Sequence, residues 1–232
     1  MVSRMKVICF DLDDTLYKEI DYLKSAYREI AEYAAAHCTS CSDSVNILAI
    51  KAYNRMLDAY REGLNAFEEL NLFLGLELPI SDYLYIYRHH KPKIALVEDA
   101  VRTLDALKAE GVRIGLITDG RSVQQRNKIE ALGLGKWIEE ENIVISEEFG
   151  SEKPNIANYE YFMRRYPECH DFTYVGDNLK KDFIAPNALG WHTICLKDDG
   201  RNIHRQEVED MEERMMPKRW IERLIDVIIQ ND

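Results

Sequence analysis

Three aspartates, Asp11, Asp13 and Asp14, follow directly on the apolar run 5–10. That run reads as a buried strand. Carboxylates gathered at the end of a buried strand cost free energy unless a cation sits against them. For hard carboxylate oxygens the natural cation is Mg²⁺. Other apolar runs end in matching fashion: one in Thr118-Asp119-Gly120, another in Gly176-Asp177-Asn178 with Asp182 in the next turn. Between them lies Ser151-Glu152-Lys153-Pro154. In an open α/β sheet the ligand crevice forms at the carboxyl ends of the strands. One crevice would then collect carboxylates, a hydroxyl and a lysine.

That set suits phosphoryl chemistry. A carboxylate such as Asp11 can attack phosphorus and form an aspartyl-phosphate, dividing one hard hydrolysis into two steps. Asp13, two residues on, can reach the leaving-group oxygen as general acid and then activate water as general base. Mg²⁺ on Asp11 and Asp177 would hold the geometry. Lys153 offers a point positive charge, and Thr118 and the Gly120 N–H offer neutral donors to phosphoryl oxygens. Asp119 and Asn178 stand at turn positions, where a site role and a turn hydrogen bond are equally in keeping with the sequence. Asp14 is expected to be solvated or to support the site from outside, and Arg121 to be a surface residue.

The elements that must position these groups follow from periodicity. Strand-like runs at 5–10, 112–118, 142–146, 172–176 and 191–196 alternate with helical patterns: Val97, Val101, Leu104 and Leu107 before Gly111; Ile129 and Leu132 before Gly133; Phe183, Ile184, Ala188 and Leu189 before Gly190. Such alternation predicts βαβ units and a mainly parallel sheet with helices on both faces. A last helix is expected over 220–229, from Ile221, Leu224, Ile225 and Ile228. Residues 17–92 break the rhythm. They show helical spacing only (Ile20, Leu23, Tyr27, Ile30, Ala34; Val45, Leu48, Ala52, Met56; Leu64, Phe67, Leu70, Phe73, Leu74), and Pro79 and Pro92 punctuate their end. The expectation is an α/β core of residues 1–16 and 93–232 interrupted by an inserted helical domain, 17–92.

The four strand-end elements, in order, resemble the four motifs of the haloacid dehalogenase (HAD) superfamily of hydrolases: DLDDT the first, TDG the second, Lys153-Pro154 the third and GDNLKKD the fourth. The resemblance spans the whole core, and the insert resembles that superfamily's alpha-helical C1-type cap. The stretches TDGRSVQQRNKIEALGL and ISEEFGSEKPN resemble its phosphatase-rich branch. The resemblance implies a three-layer, Rossmann-like α/β fold and a Mg²⁺-dependent phosphomonoester phosphatase acting on a small phosphorylated metabolite. It implies Asp11 as nucleophile, Asp13 as acid/base with its main-chain carbonyl on the metal, and Thr118 and Lys153 as phosphate-binding groups. Asp177 would be a Mg²⁺ ligand, with Asp182 supporting the metal site through water or Lys153. A sugar phosphomutase of the same fold and a non-catalytic phospho-ligand-binding protein are the alternatives. A dehalogenase proper is disfavoured, since attack on carbon needs neither Asp13 nor a metal.

Composition bounds the rest. The 232-residue chain carries a net charge of −11, which argues against binding a nucleic-acid backbone. No apolar run approaches the roughly 20 residues of a membrane span, and no secretion signal opens the chain. A cytoplasmic protein is expected, monomeric by default with a dimer as the alternative. The five cysteines are expected to be reduced thiols, including the Cys38/Cys41 pair beside His37. The basic stretch 88–93 is expected to be a solvated hinge, and the nine tyrosines from Tyr17 to Tyr87 to pack within the insert.

Overall fold

The computed structural model describes residues 5–39, 43–209 and 211–228. Six strands form one sheet in the order β3-β2-β1-β4-β5-β6, every neighbouring pair parallel. They are β1 Lys6–Phe10, β2 Arg113–Thr118, β3 Ile143–Ile145, β4 Asp171–Gly176, β5 His192–Leu196 and β6 Arg219–Ile221. β1 is central. Its pairings Phe10↔Leu116 and Phe10↔Val175 bring the carboxyl ends of β2 and β4 level with its own. The chain order runs away from β1 in both directions, which puts the switch point of the sheet at the end of β1.

Both faces of β1 are buried. Val7 and Cys9 join a cluster with Tyr159 and Phe162 of the helix Ala157–Arg165, together with Phe172, Tyr174 and Trp191. Ile8 and Phe10, which point the other way, are equally enclosed. A strand buried on two sides must read as an unbroken apolar run, and this one does.

The chain divides into two compact units: Asp21–Ile94, and the segments that end at Ile20 and resume at Ala95. The first unit is built from α1 Glu19–His37, α2 Val45–Arg61, α3 Ala66–Leu74 and α4 Ile80–His89. The fourth helix was not among the periodicities expected for this stretch. Asn65 caps α3 by accepting from the Phe67 and Glu68 amides, and Gly75 in the left-handed region ends it. Tyr27, Phe67, Tyr83 and Tyr87 meet edge-on or tilted inside the unit. The expected solvated hinge is not solvated at His90: its ring is buried, hydrogen-bonded to the Ser25 hydroxyl at 2.7 Å and to the Glu29 carboxylate.

The remaining helices belong to the α/β unit: α5 Glu98–Ala109, α6 Ser122–Ala131, α7 Ser146–Phe149, α8 Ala157–Arg165 and α9 Ile184–Ala188. The helix expected over 220–229 is absent from the described part of that stretch. Residues Arg219–Ile221 add β6 to the sheet edge beside β5, and only Leu224–Val227 wind into a short 3-10 turn. Among the described residues no helix is long and apolar enough to cross a membrane. Cys38 is half-buried, its thiol donating to the Leu74 carbonyl at 3.6 Å, whereas Cys41 lies outside the described residues.

Candidate active site

A crevice of about 170 Å³ opens at the carboxyl end of the sheet, lined by six carboxylate residues (Asp11, Asp13, Asp14, Glu19, Asp119, Asp177) and by Thr118, Lys153, Asn178, Lys181 and His204. All lie in the α/β unit. Asp11 follows β1 immediately and continues the ladder, its amide donating to the Val175 carbonyl at 2.8 Å. Thr118 is the last residue of β2 and Asp177 the first beyond β4. The sheet register therefore sets the spacing of all three.

Lys153 reaches the crevice from the loop after α7, where the Lys153–Pro154 peptide is cis. Its ammonium donates to Asp11 Oδ1 at 2.5 Å, Asp182 Oδ1 at 2.8 Å and the Tyr174 hydroxyl at 3.2 Å. Burial alone would depress its pKa, but the charges of Asp11 and Asp182 outweigh burial and hold it well above the ordinary value. Lys153 is a fixed cation. Asp119 secures the same loop: Oδ1 accepts from the Lys153 amide at 2.9 Å and Oδ2 from Lys181 at 3.1 Å. Asp119, for which a site role and a turn hydrogen bond are equally in keeping with the sequence, uses its carboxylate to hold the lysine loop. The Gly120 N–H, expected to meet a phosphoryl oxygen, is turned to Ser146 Oγ at 2.9 Å.

Asp11, Asp177 and Asp182 place carboxylate oxygens within 4.8 Å of one another, all three residues buried. Burial raises the Asp11 pKa to about 8, opposed by Lys153 and reinforced by Asp182; burial and then Asp182 and Asp11 push Asp177 up as well. Such shifts mark negative charge short of positive charge, the condition a divalent cation relieves. The donors fit a hard ion. Asp11 and Asp177 each commit one oxygen to a protein donor, Lys153 and Asn202 respectively.

Asp182, expected to support the metal site, has both carboxylate oxygens engaged by protein donors. Oδ1 accepts from Lys153 and from Tyr174, and Oδ2 from the amides of Asp177 at 3.1 Å and Asn178 at 2.8 Å. It orients the lysine and the loop that carries Asp177.

Asp13 faces a separate set of donors. Its Oδ1 accepts from Lys128 Nζ at 2.7 Å and from the Tyr17 hydroxyl, and its Oδ2 from Gln125 Nε2 at 3.0 Å. Burial would raise this carboxyl, but the Lys128 charge and hydrogen bond, with those of Tyr17 and Gln125, hold it below the usual range. Both side-chain oxygens of Asp13 are thus engaged by protein donors. Asp14 is not solvated: it is buried in the left-handed region (φ 57°) and accepts from the Glu19 and Ile203 amides at 2.9 and 2.8 Å. Its short polar side chain suits that backbone. Arg121 pairs with Glu147 on the exposed surface, as expected.

Sequence reasoning missed Tyr17, Gln125, Lys128, Asn202 and His204. Gln125 and Lys128 follow TDG at helical spacing three apart, a face that reads as solvated until its partner is known.

The chain is similar to known hydrolases over most of its length. The family model of haloacid dehalogenase-like hydrolases matches residues 5–190. A glyceraldehyde 3-phosphate phosphatase of Methanocaldococcus jannaschii is 31% identical over 215 residues, 89% of this chain and 91% of the relative. A ribulose-1,5-bisphosphate 5-phosphatase of Halopiger xanaduensis is 32% identical over 105 residues, 45% of this chain and 43% of the relative. The solved structure of the magnesium-bound HAD-hydrolase YfnB from Bacillus subtilis superposes with a TM-score of 0.64 at 20% identity, covering 97% of each chain. A parallel sheet with its carboxylates, threonine and lysine at the ends of the motif-bearing strands, joined to a match over most of its length, makes this chain a member of the haloacid dehalogenase-like hydrolases.

Proposed function

We propose that the chain hydrolyses the phosphomonoester of a small metabolite through an aspartyl-phosphate on Asp11, with Mg²⁺ as cofactor. One observation carries this most strongly: the buried Asp11 carboxylate sits against the Lys153 ammonium and within 4.8 Å of Asp177, at the switch point of the sheet. The curated relatives point the same way, since those compared above are phosphatases of small phosphorylated sugars and trioses by name.

Each side chain has a part in that reaction. Lys153 draws phosphoryl oxygens toward Asp11 and offsets their charge against a crevice rich in carboxylates. Thr118, held by Gln125 at 2.5 Å, offers its hydroxyl to a phosphoryl oxygen. Asp11 attacks phosphorus while Asp13, ionised before substrate arrives, relays to the leaving oxygen the proton that a monoanionic phosphate ester brings in; Asp13 then takes a proton from the water that opens the aspartyl-phosphate. Asp11, Asp177 and the Asp13 carbonyl would hold Mg²⁺, which when bound supplies charge neutralisation between nucleophile and phosphate. The helical unit Asp21–Ile94 would act as the cap that selects the leaving group and excludes bulk water.

Replacing Asp11 with Asn removes the nucleophile, together with the charge it shares with Lys153 and would offer to Mg²⁺. Phosphate release should fall by at least about 10³-fold on every substrate in a panel of sugar phosphates, triose phosphates, nucleotides and phosphoglycolate. Retention of wild-type rates by that variant would refute the mechanism. Product analysis on the wild type separates hydrolysis, which yields free phosphate, from a mutase, which yields an isomerised sugar phosphate.

A further inference from the structure

Lys128 is a buried lysine behind the crevice, against its lining residue Asp13, and the four-motif pattern gives it no task. It lies on α6, 1% exposed, with its ammonium 2.7 Å from Asp13 Oδ1 and 3.8 Å from Glu19 Oε1. One turn earlier on the same face Gln125, also 1% exposed, donates from Nε2 to Asp13 Oδ2 at 3.0 Å and to Thr118 Oγ1 at 2.5 Å. A buried ammonium is costly unless paired and hydrogen-bonded. Here the pairing falls on the carboxylate assigned to proton transfer, while Lys153 serves the carboxylate assigned to attack.

We propose that Lys128 and Gln125 are positioning residues for the proton-transfer half of the reaction: together they fix both oxygens of Asp13 and tie its orientation to Thr118. This rests on the hydrolase mechanism proposed above. The geometry divides the labour between two lysines on two elements. Lys153, from the loop after α7, holds Asp11. Lys128, from α6, holds Asp13. The Tyr17 hydroxyl closes the Asp13 set from the β1 side. A carboxylate gripped from three directions keeps one orientation, and general acid assistance depends on that orientation to within a fraction of an ångström.

Leaving-group dependence tests the assignment, because proton donation matters most when the departing oxygen is strongly basic. The variants are Lys128→Met, Lys128→Arg and Asp13→Asn, each assayed on p-nitrophenyl phosphate, phenyl phosphate and glycerol phosphate at saturating Mg²⁺. Lys128→Met should lose roughly 10²-fold in kcat/KM on glycerol phosphate but less than about tenfold on p-nitrophenyl phosphate, the range a positioned acid contributes. Its slope against leaving-group pKa should approach that of Asp13→Asn, with Lys128→Arg between Lys128→Met and wild type. The Mg²⁺ concentration for half-maximal rate should stay within about threefold of wild type. Lys128→Gln, which keeps a donor and nearly the length, takes the place of Lys128→Met should that variant not fold, with the same steepening expected. An equal loss on all three esters, or a steepened slope in Asp13→Asn without one in the Lys128 variants, would overturn the positioning role and leave the hydrolase mechanism standing. A flat slope in Asp13→Asn itself would instead strike at the acid role of Asp13.

Discussion

Gly176 closes β4 with its Cα against the Asp182 carboxylate. A Cβ built there would lie 2.4 Å from Oδ2 and 2.7 Å from Cγ, so no side chain fits while Asp182 stays where it is. The constraint is one of space, not of backbone conformation, because only the glycines with a positive φ carry the second kind. Displacing Asp182 would release the amides of Asp177 and Asn178 and one partner of Lys153 together. Gly176→Ala should therefore cost about 1–3 kcal/mol of stability by overpacking and, in addition, lower kcat by more than about tenfold. Gly115→Ala is the matched control. Its Cβ would meet Phe162 and Cys9 Sγ at 2.5 and 2.7 Å, in the core and away from the carboxylates. It should lose similar stability by denaturant titration yet keep its kcat. Equal kcat values in the two variants would mean that Asp182 does not transmit its position to the reacting groups.

The loop between β5 and β6 shows how an element without regular structure becomes part of the site. Asn202 donates to Asp177 Oδ2 at 2.9 Å and accepts from Lys18 at 2.7 Å. Gln206 donates to the main-chain carbonyls of Asp177 and Leu196 at 2.9 and 2.7 Å, and the Ile203 amide caps Asp14. Partners that orient a metal ligand typically change metal affinity 10–100-fold when removed. Asn202→Ala should weaken Mg²⁺ binding about tenfold by calorimetry while its unfolding temperature without Mg²⁺ stays within a few degrees of wild type. An unchanged affinity would show that the loop merely covers the sheet edge. None of this loop was legible in the sequence, since 198–206 carries no periodicity and its polar residues acquire roles only through partners on β4 and near β1. β1, β2, β4 and β5 were legible because a strand buried on both faces must be an unbroken apolar run ending in a polar turn. β6 was not. Trp220 and Ile221 precede residues at helical spacing, and only the pairing of Arg219, Trp220 and Ile221 with Ile194, Cys195 and Leu196 on the sheet edge decides for a strand. The same holds for the site. Asp11, Thr118 and Asp177 announce themselves at strand ends, whereas Gln125 and Lys128 are ordinary polar helix residues until the fold brings Asp13 to them across 112 and 115 positions of chain.

For the whole molecule, the net charge of −11 and the carboxylate-rich crevice make proton and metal binding part of folding stability. Asp11 is raised to about 8 by burial, against Lys153, and Asp177 is raised by burial with Asp182 and Asp11. Glu19, pushed to about 8 by burial and then by Asp13, follows them. An unfolded chain ionises such groups near pH 4, so across about pH 4–8 the metal-free folded state binds more protons than the unfolded one. Stability from these groups is complete below the unfolded pKa and is lost as pH rises toward their folded values. Asp13 is lowered, and its contribution runs the other way: it is present above about pH 4 and lost as pH falls through its folded pKa. Above pH 5 Asp13 is ionised in both states and gives no slope, so the raised groups set the sign. Mg²⁺ favours the ionised carboxylates and must displace their protons, so its stabilising effect should grow with pH. At a concentration 100 times the dissociation constant the gain is about 2.7 kcal/mol. Differential scanning at pH 6 and pH 8, with and without Mg²⁺, should show the unfolding temperature of the metal-free protein falling between the two values and the Mg²⁺ increment rising. Asp177→Asn removes one raised carboxylate and one proposed ligand, and should flatten the first trend and shrink the second. A Mg²⁺ increment equal or smaller at pH 8 would mean that Asp11 and Asp177 do not share a cation.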